Sequence, residues 1–167
     1  MKKPIKLEQE IVKLLLPRLK DEFDASYLYR AISNWCQGVG YFKAAEFFAK
    51  ESEDELAHAK GIEKYLVDWN VIVSLPKIET PTSEFTDLIE VLDKAYVIEY
   101  KLYEEYEDTS MKVFKTGDLC TFDFLQGYRT IQRLSVAEYS DLLNAAQIID
   151  PTNLLDILHY EEIYFKV

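Results

Sequence analysis

Apolar residues recur at intervals of three and four along four long stretches of this chain, which is the spacing of one face of an α-helix. The predicted helices are Leu7–Cys36, Tyr41–Trp69, Glu84–Lys115 and Asp118–Ile149, followed by a short helix over Thr152–Phe165. Helix-ending residues stand at the breaks, among them Gly38, Gly117 and Pro151. Pro17 lies inside the first pattern, where we expect helix on both sides and a bend.

The lengths of the connections predict the topology. Short turns after the first and third helices make each of those pairs an antiparallel hairpin. The segment Asn70–Ser83 contains Pro76 and Pro81 and, fully extended, reaches about 46 Å. A helix of about 30 residues is also about 45 Å long. The sequence therefore predicts an all-α four-helix bundle with a long crossover between the second and third helices. It forms one domain over residues 1–167, with the bundle at about 6–150 and a short fifth C-terminal helix at about 152–165.

Each of the four long helices carries one stripe of apolar residues, which we call its seam. Three of the four seams are interrupted by a glutamate near their midpoints. These residues are Glu22, Glu55 and Glu99, and the fourth seam carries Gln132 instead. A carboxylate in a bundle core costs several kcal/mol unless its charge is compensated. The seams carry no Lys or Arg near these glutamates, whereas His58 follows Glu55 by three residues and shares its helix face. The pattern predicts a buried cation site.

The ligand types indicate which cation. Three carboxylates and one imidazole supply a charge of −3, which nearly balances two divalent ions and suits iron or manganese better than zinc. Carboxylate di-iron bundles use a glutamate from each of two helices and a Glu-x-x-His motif from each of the others. Here Glu55 and His58 form one such motif, and Gln132 with Ser135 stands in place of the second. A single such motif is common by chance, so the prediction rests on the three seams together.

Motifs spread over nearly the whole chain resemble the ferritin family, most closely its non-haem bacterial type. The segments that carry the resemblance are Asn34-Trp35-Cys36 with Tyr29, Phe47-Phe48 with Glu55-Leu56-Ala57-His58-Ala59, Leu75-Pro76-Lys77-Ile78, Ala95-Tyr96 with Glu99, and Thr121-Phe122-Asp123-Phe124-Leu125-Gln126. The resemblance implies a member of the ferritin-like superfamily.

The same resemblance implies a role for each ligand of an iron pair. Glu22 and His58 are implied as terminal ligands of the first iron, Glu55 as the bridge, and Glu99 as a ligand of the second iron. We therefore expect these four side chains to be both metal-binding and catalytic.

Two further residues and the activity follow from the family. Gln132 is implied beside the second iron as a metal-binding and catalytic residue, and Tyr29 as a catalytic residue that forms a hydrogen bond near the centre. The implied protein is a cytoplasmic ferroxidase, which oxidises Fe(II) to Fe(III) at a di-iron centre with dioxygen or peroxide. It stores ferric mineral inside a hollow homo-oligomeric cage of about 24 subunits. No haem is expected, because Leu56 stands where haem-binding relatives have methionine.

The chain departs from its bacterial relatives on the fourth helix. Ile131, Leu134 and Ser135 stand where those relatives often place acids for the second iron and an adjacent third iron. The third site is therefore expected to be absent, and the second iron would rest on Glu55 and Glu99. Two alternatives stay open: a cage subunit with an impaired second iron site that mainly stores or nucleates mineral, and a di-iron oxidase without a cage.

Other acids have less specific expectations. Glu138 lies one turn beyond Ser135 and is expected on a solvated face rather than at the iron. Asp54 fits a cavity-facing acid or exposed helix surface equally well, and Asp118 and Asp123 are candidates for an entry pore. The fifth helix is apolar on more than one face, so we expect it to contact another subunit rather than its own bundle.

The net charge disfavours one class of partner, and the lack of long apolar runs disfavours another. With 19 basic and 30 acidic side chains, the formal charge is −11, which disfavours binding to nucleic acid. No run approaches 18 apolar residues, so no membrane association is expected.

Overall fold

The computed structural model describes residues 7–166; the predicted starts at residues 1 and 6 and the final residue lie outside this range. Five α-helices make up the fold: α1 Gln9–Val39, α2 Phe42–Asp68, α3 Leu88–Thr116, α4 Leu119–Ala146 and α5 Leu154–Tyr164. Residues 7–166 contain no β-strand. The all-α bundle with its crossover at residues 69–87 is confirmed, and every helix boundary lies within four residues of its prediction.

The start of α3 is the largest of these differences, and its cause is local capping. The Asp87 side chain accepts a hydrogen bond from the Glu90 backbone N–H at 2.8 Å. The Glu90 carboxylate in turn accepts one from the Thr86 backbone N–H at 2.7 Å. This reciprocal capping fixes the first turn at Leu88 rather than at residue 84.

The first helix runs through both of its irregular positions. Pro17 lies within it with an exposed side chain, and helix on both sides is confirmed, while the bend stays a prediction. The helix continues to Val39 and ends at Gly40, whose φ of 94° is in the left-handed region that favours glycine.

The apolar core has two parts, one toward each end of the bundle. Along α1, α2 and α4 the break between them falls at Glu22, Glu55 and Gln132. The polar positions found in the sequence therefore form a layer across the middle of the bundle. None of the helices described is both long and apolar enough to span a membrane.

The short helix α5 packs on its own bundle with one face and is exposed on the other. Ile157, Tyr160 and Phe165 are buried, and the Tyr160 hydroxyl donates to the Leu142 carbonyl at 2.6 Å. The expectation that this helix avoids its own bundle is therefore wrong for that face, because Ile157, Tyr160 and Phe165 complete the core there. The opposite face leaves Leu155 75% exposed.

Candidate metal centre

The three seam glutamates all lie in the interior of the bundle. Glu22, Glu55 and Glu99 are 0%, 3% and 0% exposed, and Gln132 is 1% exposed. Side chains of this kind are seldom fully buried unless they are paired or bind a metal.

Glu22, Glu55 and His58 converge on one point between α1 and α2. One ligand atom from each lies within 4.8 Å of the other two. His58 Nδ1 lies 3.3 Å from Glu55 Oε2 and 3.5 Å from Glu22 Oε2. Among the described residues, this compact group does not include Glu99.

Two serines fix the register of α1 against α2 beside this group. The Ser26 hydroxyl donates to the Ser52 carbonyl at 2.7 Å, and the Ser52 hydroxyl donates to the Ser26 carbonyl at 2.8 Å. Ser26 follows Glu22 by one turn and Ser52 precedes Glu55 by three residues. The paired bonds therefore hold the two helices together one turn away from their glutamates.

Two tyrosines orient two of the carboxylates across the bundle. The Tyr29 hydroxyl on α1 donates to Glu99 Oε1 on α3, and the Tyr106 hydroxyl on α3 donates to Glu22 Oε1 on α1. Each tyrosine follows a glutamate of its own helix by seven residues, so the arrangement is reciprocal. A hydrogen bond from Tyr29 near the centre was predicted; the role of Tyr106 was not. The repeated seven-residue spacing is the sequence signal that could have found it.

A third tyrosine supports the helix that carries His58. The Tyr128 hydroxyl donates to the His58 carbonyl at 2.8 Å, and its ring stacks on Tyr106 with centroids 5.3 Å apart. This approach requires the glycine at position 61, since a Cβ there would lie 2.5 Å from the Tyr128 hydroxyl oxygen.

Burial and mutual contacts shift the pKa values of the acids in opposite directions. Burial raises the pKa of Glu55 well above its usual range and that of Glu99 to about 7. Burial also opposes ionisation of Glu22, but hydrogen bonds with His58, Glu55 and Tyr106 outweigh it and lower its pKa. A proton shared between these two acids therefore favours Glu55 over Glu22.

His58 balances the charge of this acid pair. Burial lowers the pKa of its imidazole, but hydrogen bonds to Glu22 and Glu55 outweigh that effect and raise the pKa to about 10. The protonated ring thus supplies a positive charge next to Glu22 and Glu55. A metal ion bound at the same place would displace protons from the site.

The types of donor atom in this group of residues are suited to binding iron. Two of the site residues each carry a buried oxygen with no hydrogen-bond partner within residues 7–166, namely Glu99 Oε2 and Gln132 Oε1. Buried polar atoms normally have partners, so free acceptor atoms mark capacity for a cation. Oxygen donors with one imidazole are suited to iron, and less so to softer metals.

The remaining sequence candidates lie away from this group. Ile131 and Leu134 are exposed, and Glu138 is exposed as expected. Asp54 forms an ion pair with Lys50 at 2.6 Å on the helix surface.

The two pore candidates occupy the start of α4. Asp118 is its N-cap and accepts a hydrogen bond from the Thr121 backbone N–H at 2.9 Å. Asp123 is exposed. A local structural role accounts for the first, and a pore role for either stays a prediction.

One acid near the centre was not found from the sequence. Glu51 on α2 is half-buried and accepts a hydrogen bond from the Tyr139 hydroxyl at 3.0 Å. Its position one turn before Glu55 was the available signal, but Glu51 lies beside the apolar seam rather than on it.

Comparison with known proteins matches this chain to one family. The ferritin-like domain pattern matches residues 12–149. A probable bacterial non-heme ferritin-like protein of Haemophilus influenzae is 29% identical over 138 residues, covering 83% of this chain and 84% of that protein. A bacterial non-heme ferritin of Campylobacter jejuni is 28% identical over 143 residues, covering 86% of each chain.

Solved structures agree on the fold. An open pore ferritin from Archaeoglobus fulgidus superposes with a TM-score of 0.89 at 19% identity, over 96% of this chain and 98% of that one. A humanized archaeal ferritin gives 0.92 at 18% identity, over 97% and 98%. The molecule is an all-α bundle protein with a carboxylate–histidine group at its centre. It belongs to the ferritin family.

Proposed function

We propose that this protein oxidises Fe(II) to Fe(III) at a di-iron centre inside each bundle and stores the ferric product within an oligomeric cage. The observation that carries the proposal is the convergence of Glu22, Glu55 and His58 in the interior, with donor atoms within 4.8 Å of one another. Bound cations would compensate the negative charge of these buried acids.

Each site residue has a role that its position supports. Glu22 and His58 are the terminal ligands of the first iron, and Glu55, which converges with them, is the bridge to a second iron. Glu99 supplies a carboxylate to that second iron, with Tyr29 fixing its orientation through the hydrogen bond to Oε1. Gln132, buried on α4, offers a neutral oxygen to the same position.

The chemistry is a two-electron oxidation shared by two substrate ions. Each Fe(II) gives up one electron, and dioxygen takes both electrons with two protons to form hydrogen peroxide; with peroxide as oxidant, the products are two water molecules. The protein holds both ions close together and accepts or releases protons through Glu55 and His58, whose pKa values are both raised. Carboxylate ligands favour Fe(III) over Fe(II), which makes the oxidation easier.

Replacement of the bridging carboxylate tests this activity. Fe(II) is added aerobically and the initial rise of ferric absorbance is compared among wild type, Glu55→Ala and Glu53→Ala. Glu53 is exposed on the same helix and provides a matched loss of charge. We expect Glu53→Ala to retain the wild-type rate and Glu55→Ala to lose most of it. Equal rates in all three would rule out the catalytic role.

Assembly into a cage is supported by apolar side chains left on the surface of the single chain. Ile72 and Leu75 in the crossover are 97% and 62% exposed, and Ile148 near the end of α4 is 86% exposed. Such residues are typical of contacts between subunits. Particle mass and iron content of one purified sample test this, since a monomer or dimer would instead favour a di-iron oxidase without a cage.

One observation favours a second candidate, a cage subunit that mainly stores or nucleates mineral. Ser135 and Leu134 leave α4 without an acid beside Gln132. If this weakens the second iron position, the first iron alone would be held firmly. Counting the iron ions bound per bundle under anaerobic conditions separates the candidates, because one ion favours storage and two favour the ferroxidase.

A further inference from the structure

Glu51 extends the row of potential ligands on α2 in the direction opposite to His58. Glu51, Glu55 and His58 stand at positions i, i+4 and i+7 of one helix, so they share a face. Four residues of helix rise about 6 Å, so Glu51 lies about one helical turn from Glu55 along the helix axis. Glu55 therefore has a possible ligand on either side along the helix axis.

A chain of contacts connects Glu51 to Glu99 across the bundle. The Tyr139 hydroxyl donates to Glu51 Oε2 at 3.0 Å, and the Tyr139 ring stacks on Tyr29 with centroids 6.0 Å apart. Tyr29 in turn donates to Glu99. Glu51 and Glu99 therefore flank the same part of the interior.

Free acceptor atoms on Glu99 and Gln132 point independently to a ligand. Glu99 is 0% exposed and its Oε2 has no hydrogen-bond partner within residues 7–166, although Tyr29 occupies its other oxygen. Gln132 is 1% exposed and its Oε1 has no hydrogen-bond partner in the same range. Two buried oxygens left free in this way need a cation or a donor.

We propose that Glu51 is a carboxylate ligand of the second metal position, together with Glu55, Glu99 and Gln132. This inference rests on the proposed function and identifies the acid that serves the second iron in this chain. It replaces the carboxylate that α4 lacks at Ser135, and it comes from the helix that already supplies Glu55.

Charge supports this assignment. Glu22, Glu55 and Glu99 provide −3 against the +4 of two Fe(II) ions, and Glu51 brings the total to −4. The centre is then neutral with both ions bound, which lowers the cost of holding them in a low-dielectric interior. The Tyr139 hydrogen bond occupies Oε2 and leaves Oε1 of Glu51 available to a metal.

Anaerobic binding of Co(II), followed by calorimetry and by visible absorption of the bound ion, tests the proposal without any oxidation step. Only ions whose binding is weakened by Glu55→Ala are counted, so that ions bound at the protein surface are left out. Wild type and Glu53→Gln, an exposed control on the same helix, are expected to bind two such ions per bundle. Glu51→Gln is expected to bind the first ion as wild type does and the second at least about tenfold more weakly, because it loses a direct ligand.

A second variant separates ligation from packing. Tyr139→Phe removes the hydrogen bond that orients Glu51 but keeps the carboxylate, so it is expected to weaken the second ion clearly less than Glu51→Gln does. A loss in Tyr139→Phe equal to that in Glu51→Gln would overturn the proposal, since Glu51 would then act only by positioning Tyr139.

The remaining outcomes are also decisive. Two ions bound by Glu51→Gln with wild-type affinity, or a single ion bound by wild type, would overturn the role of Glu51 while leaving the first metal position intact. No ion bound by wild type would overturn the proposed function itself.

Discussion

Tyr106 on α3 donates a hydrogen bond to Glu22 on α1, and the relationship between Tyr29 and Glu99 is its mirror image across the bundle. Burial raises the pKa of both phenols well above the usual value, so both remain neutral donors. Each therefore restrains a carboxylate without compensating its charge, and Oε2 of Glu99, opposite the bond from Tyr29, is left free for a cation.

Removing each hydroxyl should affect one metal position more than the other. Tyr106→Phe is expected to weaken the first ion, held by Glu22, and Tyr29→Phe the second, held by Glu99. Each change should cost about tenfold in affinity, the range observed when a group that orients a ligand is removed. Anaerobic Co(II) titration measures both constants, and equal effects of the two variants on both ions would contradict the pairing.

The glycine at position 61 provides a test of packing that is independent of metal. In wild type the added methyl of Gly61→Ala would lie 2.5 Å from the Tyr128 hydroxyl oxygen, so the substitution should lower the free energy of unfolding. In a Tyr128→Phe background the nearest ring atom is 3.7 Å away, an ordinary contact.

The sign of the effect should therefore reverse in that background. Alanine is favoured over glycine inside a helix by about 1 kcal/mol, and this gain is no longer offset by a clash. Denaturant unfolding of the four proteins measures the change. Destabilisation of the same size in both backgrounds would show that the hydroxyl is not the cause.

The docking of α5 depends on a carboxylate that caps another helix. Tyr41, the N-cap of α2, makes no side-chain cap, and Glu161 of α5 instead accepts a hydrogen bond from the Ala44 backbone N–H at 2.9 Å. Glu161→Ala is expected to cost about 1 kcal/mol, the usual loss of a helix cap. It should also speed hydrogen exchange in α5.

The neighbouring acid is the control for this prediction. Glu162 forms only an exposed ion pair with Lys43 at 3.3 Å. Such pairs contribute little, so Glu162→Ala should leave α5 as protected from exchange as in wild type. Similar exchange rates in both variants would mean that the cap does not hold α5.

Much of this structure could be predicted from the sequence because the signals are local. Periodic apolar residues defined the helices, and the carboxylates on three seams stood out because a bundle core otherwise excludes them. Glu22, Glu55 and Glu99 are buried as the pattern requires.

The residues that the sequence did not yield depend on contacts between helices. Tyr106 lies on an apolar seam, where a tyrosine is ordinary, and its hydrogen bond to Glu22 exists only once α1 and α3 pack. Glu51 lies just outside its seam, and its hydrogen bond with Tyr139 of α4 forms only once α2 and α4 pack together. The docking of α5 on α2 likewise depends on a buried Glu161 that resembles a surface acid in sequence.

Metal affinity should rise with pH, because the metal-free protein holds protons at its ligands. Because these pKa values are raised, Glu99 holds a proton at pH values below about 7 and His58 holds one at pH values below about 10. A metal must displace these protons, so the apparent affinity for Co(II) should increase steadily from about pH 6 to about pH 8. Calorimetry in two buffers of different ionisation enthalpy measures the protons released, and affinity independent of pH would contradict these protonation states.

The central claim is that Glu22, Glu55, His58 and Glu99 bind iron in the interior of the bundle. Anomalous diffraction at the iron absorption edge, from crystals soaked anaerobically in Fe(II), tests this claim most directly. We predict two iron peaks per bundle, the first within bonding distance of Glu22, Glu55 and His58 and the second bonded to Glu55 and Glu99. Iron found only at surface acids, with these four side chains free of it, would contradict the account.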